Sequence, residues 1–395
     1  MSTLTPPKKL AARMGKLGTE TAFEVLARAR ELEKKGKSII HLEIGEPDFA
    51  TPGHIVEEGV KALKGGATHY GPSAGLPETR EAIARYVRHT RGVAVGPDWV
   101  VVTPGAKPIM FFTIFALVDP GDEVIFPNPG FPIYESVIRF VGGHPVPVGL
   151  RENNGFRIDI EELVSKVSDK TKLIIINSPH NPTGAILTRS DLEVVARLAL
   201  ERGIYVLADE IYSELVYDGT FASILHVAPE VLDHVILLDG MSKTFAMTGW
   251  RLGWGVMPPH VATAVARLQT NSNSCTASFS QKVIGPALFG PREEVDAMRH
   301  EFRIRRDLVV EGLSQIPGIT CQKPAGAFYV FPNISKLGLA SKELEKGLLE
   351  QAGVATLAGT SFGDGGEGYL RLSYANSQDN LREGLRRIAD WVLKR

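Results

Sequence analysis

The sequence has little cysteine and lacks a long uninterrupted apolar segment. Its 395 residues include only two cysteines, Cys275 and Cys321. Two are too few for a disulfide scaffold or a cysteine-rich zinc site, and they are typical of a reducing compartment. The most apolar run, residues 109–118, is about half the length of a bilayer-spanning helix, and the N-terminus lacks an apolar stretch of signal-peptide length. We therefore expect a cytoplasmic protein without a membrane partner and without a bound metal.

An excess of charge of one sign is also missing. The chain has 44 Lys and Arg against 45 Asp and Glu, for a formal net charge of −1. Proteins that bind nucleic acids generally carry a basic stripe, whereas the longest basic cluster here, Arg303, Arg305 and Arg306, is expected to be the solvated face of a helix. We expect no nucleic-acid partner. The length is enough for a sizeable core, shared by two domains.

Short runs rich in Val, Ile and Leu alternate with amphipathic segments through the middle of the chain. Strands are predicted at 99–103, 123–127, 172–178, 204–210 and 235–240, and helices at 108–118, 132–141 and 190–203. Strands buried on both faces read as continuous apolar runs, and strands that alternate with helices form parallel sheets. The pattern predicts an α/β fold, with a large domain built on a mostly parallel central sheet flanked by helices.

The two ends of the chain have a different pattern. Residues 19–36 are strongly helical and begin with a capping-box pattern from Thr21 to Glu24. A long helix is predicted over 293–316, followed by a mixture of short strands and helices. We predict a large domain over residues 46–300 and a smaller α+β domain formed by both chain ends, residues 1–45 and 301–395.

Polar and small residues cluster where the predicted strands end. "TPGAK" follows the first strand, "NSPHNPTG" the third, "ADEIY" the fourth and "DGMSK" the fifth. Ligands of open α/β sheets bind beyond the carboxyl ends of the strands, so the pattern predicts one shared pocket. The small residues of "PGAK" (104–107), at a strand-to-helix turn, would suit a phosphate group, although an ordinary turn has the same composition.

Taken singly, the other features also have structural explanations. "NPTG" (181–184) consists of turn residues, Asp209 could cap a helix or join a salt bridge, and Lys243 could extend its charge to solvent. "GDGGEG" (363–368) formally matches G-x-G-x-x-G, but a strand-like segment follows it, which favours a flexible loop. "GMSKTFAMTGWRLGW" (240–254) surrounds Lys243 and Arg251 with apolar residues, so both charges are expected to be largely buried and to need partners.

Six motifs in order resemble those of the fold-type I, pyridoxal-phosphate-dependent aminotransferases, in particular an aspartate aminotransferase subgroup widespread in bacteria. They are "GEPDF" (45–49), "HYGPSAGLPETR" (69–80), "NPTG" (181–184), "DEIY" (209–212), "SKTFAMTGWRLGW" (242–254) and "YLRLSYA" (369–375). The resemblance extends from about residue 13 to the C-terminus. It implies the fold of that family, pyridoxal 5'-phosphate as cofactor, amino-acid and 2-oxo-acid substrates, and a homodimer with shared active sites.

The resemblance also implies roles for individual residues. The catalytic group is Lys243, which is joined covalently to the cofactor aldehyde, together with Asp209 at the pyridine nitrogen and Tyr212 at the ring oxygen. The other implied cofactor contacts are Gly105, Ala106, Lys107, Phe131, Asn181, Ser242, Arg251 and, from the neighbouring subunit, Tyr70. The implied substrate contacts are Gly45, Phe131, Asn181 and Arg371, of which Arg371 clasps the α-carboxylate with two parallel hydrogen bonds.

Two positions depart from the family pattern. Gly240 stands where the family often has a serine that contacts the phosphate. At the distal end of the substrate, the subgroup can use a lysine at the position of Lys107, helped by a serine whose place is taken here by Glu20. A carboxylate there would either repel an acidic side chain or neutralise Lys107.

These observations predict an aminotransferase that moves an α-amino group between an L-amino acid and a 2-oxo acid such as 2-oxoglutarate, with an aspartate-like donor favoured. One alternative is an aminotransferase for neutral or aromatic amino acids. Another is a different pyridoxal-phosphate reaction, β-elimination or decarboxylation, because the Cα bond that breaks depends on how the substrate is oriented. A non-catalytic regulator is a third, although such relatives typically lose the lysine or carry an added DNA-binding domain.

Overall fold

The structure, a computed structural model, describes residues 9–395 and is built on a central seven-stranded sheet. The strands of the described residues are numbered in chain order. They are β1 (Ile40–His41), β2 (Val100–Thr103), β3 (Glu123–Asn128), β4 (His144–Gly149), β5 (Thr171–Asn177), β6 (Tyr205–Asp209), β7 (Val235–Gly240), β8 (Gly253–Val256), β9 (Tyr329–Val330), β10 (Val354–Ala355), β11 (Leu357–Ala358) and β12 (Leu370–Ser373).

The helices of the described residues cover both faces of this sheet or pack against the smaller sheets. They are α1 (Thr21–Lys34), α2 (Gly53–Lys64), α3 (Pro77–Arg91), α4 (Lys107–Leu117), α5 (Ile133–Val141), α6 (Ile160–Lys166), α7 (Arg189–Arg202), α8 (Ile224–Val227), α9 (Pro259–Ser272), α10 (Ser278–Gln281), α11 (Ile284–Phe289), α12 (Glu293–Ser314), α13 (Ser341–Gly347) and α14 (Gln378–Leu393). Across residues 9–395, none of the helices is long and apolar enough to cross a bilayer.

The central sheet has the strand order β2-β8-β7-β6-β5-β3-β4. Only β8 runs antiparallel to its neighbours, so the predicted, mostly parallel sheet is confirmed. The five predicted strands correspond to β2, β3, β5, β6 and β7. The sequence did not reveal β4, which contains two prolines, or β8, which contains two glycines, because both residue types are uncommon in strands.

The sheet is buried on both faces, as its continuous apolar runs predicted. Within β6, Val206 and Ala208 join one apolar cluster, and Leu207 between them joins the other. Helix α7 packs into the first cluster, whereas α4 packs into the second. Because the parallel strands are covered on both sides, their carboxyl ends form the one edge at which polar side chains can gather.

The two ends of the chain meet in smaller sheets outside the central one. Strand β1 pairs in parallel with β10, and β11, β12 and β9 form an antiparallel three-stranded sheet. The pairing of β1 with β10 joins a segment before residue 46 to one after residue 300. The division into domains 46–300 and 1–45 plus 301–395 stays a prediction, and its first eight residues lie outside the described part of the chain.

The predicted capping box at the start of α1 is wrong. Thr21 is the first helical residue, and the N-cap is Glu20, whose side chain makes no capping hydrogen bond. The Glu20 carboxylate instead pairs with the ammonium group of Lys107. The helix therefore begins one residue earlier than a Thr21 N-cap would require, and the Glu20 side chain pairs with a residue distant in sequence.

The expected solvated arginine face is also wrong for two of its three members. Arg305 and Arg306, both on α12, are 6% and 0% exposed. Arg305 pairs with Asp48 at 2.7 Å, and Arg306 pairs with Asp218 at 2.5 Å and donates to the Pro324 carbonyl. These partners are 18 to 257 residues away in sequence, so the local pattern could not reveal them.

The glycine-rich segment 363–368 lies between β11 and β12 and does not join a strand to a helix, as predicted. It is packed more tightly than a flexible loop. The N–H of Gly365 donates to the Asn128 side chain at 3.1 Å, and a Cβ at Gly363 would overlap the same side chain. Gly363 has φ +110, a conformation that glycine adopts readily.

Candidate active site

A cavity of about 380 Å³ opens at the carboxyl ends of β5, β6 and β7, beside the start of α4. This volume lies within the range of roughly 300–1,000 Å³ that is usual for ligand sites. All the predicted site residues except Gly105 and Tyr70 line it, namely Gly45, Ala106, Lys107, Phe131, Asn181, Asp209, Tyr212, Ser242, Lys243, Arg251 and Arg371. The fold thus brings residues from seven separate segments of the chain to one cavity.

Lys243 follows β7 and enters the cavity with a single hydrogen bond. Its Nζ donates to the Gly45 carbonyl at 2.6 Å, and the rings of Tyr212 and Phe328 lie 5.9 Å and 5.6 Å from it. Burial lowers the pKa of Lys243 to about 8. Because a neutral amine is the nucleophilic form, this environment favours covalent chemistry at Nζ.

Asp209 ends β6 with its carboxylate in the cavity. It accepts a hydrogen bond from the Tyr134 hydroxyl at 2.6 Å and one from the Ile211 N–H at 3.3 Å. Burial raises the pKa of Asp209 to about 6, and the hydrogen bond from Tyr134 opposes that rise. Both hydrogen-bond donors to Asp209 are neutral groups. Asp209 therefore does not form the internal salt bridge that the sequence also allowed.

Two tyrosines form the floor next to Lys243. The hydroxyls of Tyr212 and Tyr329 lie 2.8 Å apart, and burial raises the pKa of both, so they are neutral donors at physiological pH. A Cβ at Gly45 would overlap the Tyr329 hydroxyl. Glycine at residue 45 is therefore needed for the close approach of this backbone to the floor of the cavity.

Arg371, on β12, is buried with its hydrogen-bonding capacity only partly used. One Nη donates to Asn181 Oδ1 at 3.3 Å, the other donates to the Glu43 carbonyl, and the ring of Tyr329 lies 4.5 Å from Cζ. Within residues 9–395, the buried Nε of Arg371 has no hydrogen-bond partner. The free donor of a buried guanidinium is chemically suited to a carboxylate.

Arg251 lies at the corner of the cavity where α4 begins. It has φ +55, and its guanidinium donates to the carbonyls of Thr248 at 2.8 Å and Pro104 at 3.2 Å. The expected burial of Arg251 is wrong, since its side chain is exposed at the cavity rim. Gly105 contacts this guanidinium from behind: it has φ +90, and a Cβ there would overlap Arg251. Next to them, the first N–H groups of α4 have no intrahelical acceptor.

Lys107, the first residue of α4, is paired across the cavity with Glu20 at the N-cap of α1. Its Nζ lies 5.4 Å from the centre of the Phe131 ring. The sequence allowed a carboxylate at residue 20 either to repel an acidic side chain or to neutralise Lys107. In the structure, Glu20 neutralises Lys107.

Tyr70 lies apart from the cavity, with 90% of its surface exposed. Gly240, the other departure from the family pattern, ends β7 in tight packing against β8. A Cβ at Gly240 would lie 3.0 Å from the Gly253 Cα and from the Leu252 carbonyl oxygen. A serine at this position would therefore crowd the neighbouring strand.

The sequence did not single out Tyr134, Tyr329 or Glu46 as site residues. Tyr134 and Tyr329 act through Asp209 and Tyr212, from which they are separated by 75 and 117 residues. Glu46 lines the cavity and accepts a hydrogen bond from the Thr248 hydroxyl. Glu46 belongs to the "GEPDF" motif. Its position next to Gly45 was the sequence feature that could have identified it as a site residue.

Comparison with known proteins gives one consistent result. The profile of the family described as "Aminotransferase class I and II" matches residues 37–388. The "Probable aspartate/prephenate aminotransferase" of Aquifex aeolicus is 42% identical, over 96% of this chain and 98% of that protein. The "Aromatic-amino-acid aminotransferase 2" of Thermococcus litoralis is 40% identical, over 91% of this chain and 92% of that protein.

Solved structures agree with the sequence comparison. The aspartate aminotransferase from Thermus thermophilus with maleate has a TM-score of 0.93 and 39% sequence identity. The alignment covers 98% of this chain and 100% of that one. At this level of similarity the whole architecture is shared, including the mostly parallel central sheet.

Proposed function

This chain belongs to the aminotransferase class I and II family and is a pyridoxal-phosphate-dependent transaminase, and from that premise we propose that it moves an α-amino group between an aspartate-like L-amino acid and a 2-oxo acid such as 2-oxoglutarate. The observation that carries the proposal is that Lys243, Asp209 and Arg371 line one cavity. The relatives named as aspartate or aspartate/prephenate aminotransferases support the choice of donor.

The chemical character of the cavity fits pyridoxal 5'-phosphate. A phosphate suits the corner made by Arg251 and the free N–H groups of Ala106 and Lys107, where the positive end of the α4 dipole adds to the attraction. The pyridine nitrogen suits the Asp209 carboxylate, and the aldehyde suits the amine of Lys243. The ring oxygen would take hydrogen bonds from Asn181 and Tyr212, with Ser242 close to the linked lysine and Phe131 against the ring face.

The bound cofactor supplies an electron-withdrawing ring that stabilises negative charge at the substrate Cα. The Asp209 carboxyl has a pKa of about 6 and is therefore mostly ionised at neutral pH. Its negative charge would keep the pyridine nitrogen of the cofactor protonated. The amine of Lys243, whose pKa is about 8, would take the proton from Cα of the amino donor and, at the end of the transfer, would give a proton to Cα of the 2-oxo acid. Phe131 and Tyr212 exclude water from this region, which strengthens the electrostatic interactions within it.

Arg371 orients the substrate. Its planar guanidinium offers parallel donors to an α-carboxylate, and Asn181 and the Glu43 carbonyl hold it in position. A carboxylate held here would lie in the same cavity as the amine of Lys243. Lys107 is the cation available for a second, distal carboxylate.

A second candidate is an aminotransferase for neutral or aromatic amino acids. The observation that favours it is the ion pair between Glu20 and Lys107, which neutralises the distal cation. The Thermococcus litoralis relative named for aromatic amino acids is consistent with it. β-Elimination and decarboxylation remain alternatives that the fate of the amino nitrogen distinguishes.

We also propose a homodimer with shared active sites and a cytoplasmic location. Tyr70 supports the dimer, because a tyrosine that is 90% exposed in one subunit is free to reach a neighbouring one. The low cysteine content supports the location. Cross-linking of the purified protein and complementation between Tyr70→Phe and Lys243→Ala subunits would test the shared site.

The assignment of Lys243 can be tested directly. The protein is reconstituted with pyridoxal phosphate, reduced with borohydride and digested, and the peptides are weighed by mass spectrometry. We expect the cofactor on the peptide that contains Lys243, and no labelled peptide from Lys243→Ala. Label on another lysine in the wild-type protein would contradict the assignment.

A further inference from the structure

The ion pair between Glu20 and Lys107 lies at the rim of the cavity that Arg371 also lines. It joins the N-cap of α1 to the first residue of α4, two segments that are separated by 87 residues. The side chains of Glu20 and Lys107 are 20% and 47% exposed, so the pair lies at the rim and not in the core. Because Glu20 makes no side-chain hydrogen bond to its own helix, its carboxylate is free for this contact.

Apolar rings border the same part of the cavity. Phe131 lies 5.4 Å from the Nζ of Lys107, and Phe23, one turn along α1 from Glu20, also lines the cavity. The distal end therefore combines two aromatic surfaces with one carboxylate and one ammonium that compensate each other. Such a surface accepts an uncharged side chain without separating any charges.

We propose that Glu20 is a specificity-determining residue that competes with the side-chain carboxylate of acidic substrates for Lys107; this inference rests on the proposed function. With the pair closed, the distal end takes uncharged side chains, aromatic ones included. An acidic substrate must displace Glu20, and two carboxylates then share one ammonium. Glu20 thus widens the range of donors at the expense of affinity for dicarboxylic ones.

The position of the pair also sets the size of the effect. Ion pairs that solvent reaches are weak, so an acidic substrate can still open this one. Acidic donors therefore still bind, but less tightly than they would without Glu20. We expect the competition to weaken the binding of a dicarboxylate about tenfold, a typical consequence of one repelling charge at a partly exposed site.

Equilibrium binding of two unreactive ligands to the holoenzyme tests this. Maleate carries two carboxylates and 3-phenylpropanoate carries one carboxylate and an aromatic ring, and calorimetry measures both. In Glu20→Gln we expect maleate to bind about tenfold more tightly and 3-phenylpropanoate to change by less than about twofold. The matched control is Glu24→Gln, an identical charge change on the exposed face of α1, which should leave both affinities unchanged.

Two outcomes would overturn the inference. One is equal tightening of maleate by Glu20→Gln and Glu24→Gln, because the effect would then be one of overall charge. The other is an effect of Glu20→Gln that persists in a Lys107→Gln background, because the competition requires Lys107. Loss of the Glu20→Gln effect in that background supports the inference.

Amino-transfer assays on the same variants separate this inference from the proposed function. If the variants alter maleate binding as expected but the wild-type protein transfers no amino group from any donor, the proposed function fails and the ion-pair inference stands. If aspartate is a donor and the ratio of the two affinities is the same in wild type and Glu20→Gln, the inference fails alone.

Discussion

The hydroxyl of Tyr134 lies 2.6 Å from Oδ2 of Asp209 and donates a hydrogen bond to it. The two residues come from α5 and β6 and line the cavity, where Tyr134 is buried and Asp209 is partly buried. Burial raises the pKa of the Asp209 carboxyl to about 6, and the Tyr134 hydrogen bond limits that rise. This tyrosine therefore helps Asp209 to stay ionised at neutral pH, the state that the proposed contact with a protonated ring requires.

Replacement of Tyr134 should shift the pH dependence of cofactor binding. Affinity of the apoenzyme for pyridoxal phosphate should fall as pH drops through about 6, where Asp209 becomes protonated. In Tyr134→Phe, which lacks the donor, the fall should occur at a higher pH by up to about one unit. Fluorescence titration of the apoenzyme at several pH values measures this. Tyr205→Phe, which loses a hydrogen bond to His260 far from the cavity, should keep the wild-type profile.

The rate of cofactor attachment should rise with pH through about 8. The pKa of Lys243 is lowered by burial, so its amine becomes neutral and nucleophilic near pH 8 and not near its ordinary value of 10.5. Rapid mixing of apoenzyme with pyridoxal phosphate, followed by absorbance, gives the profile. An exposed-lysine control, Lys282→Ala, should not alter it. A midpoint near pH 10 would mean that the lysine is not buried in the working enzyme.

Loss of Arg371 should act mainly on the binding of carboxylates. Arg371→Gln removes a buried guanidinium whose Nε is still available, so KM for both the amino and the 2-oxo substrate should rise about 100-fold, or roughly 3 kcal/mol. Arg371→Lys should recover only part of this, because a single ammonium cannot form the parallel pair of bonds. Steady-state kinetics measure both. Arg382→Gln, at an exposed arginine of α14, should change KM by less than about twofold.

His41 should make stability depend on pH at alkaline values. Its Nδ1 lies 2.8 Å from Oε1 of the buried Glu43, and this hydrogen bond raises the pKa of His41 from 6.5 to about 9. A raised pKa stabilises the fold fully below the unfolded value of 6.5, and the stabilisation is lost as pH rises through about 9. The His41 side chain is 30% exposed, so we expect about 1–2 kcal/mol after solvent screening.

Urea unfolding of the wild type and His41→Gln tests this. The difference between their free energies of unfolding should be largest near pH 6 and should shrink as pH is raised past about 9. A difference that stays constant over this range would show that His41 contributes through packing and not through its charge.

The middle of the fold was predictable because its strands are buried on both faces. Runs such as residues 173–176 are wholly apolar, and the predicted cofactor motifs follow such runs closely in sequence. The predictions were weaker where a residue acts through a distant partner. The sequence predicts an exposed Arg306, yet the side chain is fully buried and its charge is compensated by Asp218 and the Pro324 carbonyl. These partners come from segments outside α12, so the helical pattern could not reveal them.

The candidate site divides in the same way. Lys243 and Asp209 could be identified from the motifs around them, since each motif is continuous in sequence. Tyr134 and Tyr329 could not, because they contact the site only after α5 and β9 have packed against the sheet. For Glu20 the sequence allowed repulsion of a substrate or neutralisation of Lys107, and only the relative positions of α1 and α4 decide between them.

The central claim is that the amino nitrogen of the donor passes to the 2-oxo acid. The most direct test supplies L-aspartate with an isotopically labelled amino nitrogen together with 2-oxoglutarate and follows the label by mass spectrometry. We predict that the label appears in glutamate with the wild-type protein and does not appear there with Lys243→Ala. Release of the label as ammonia, or its retention in an amine formed by decarboxylation of aspartate, would contradict the claim.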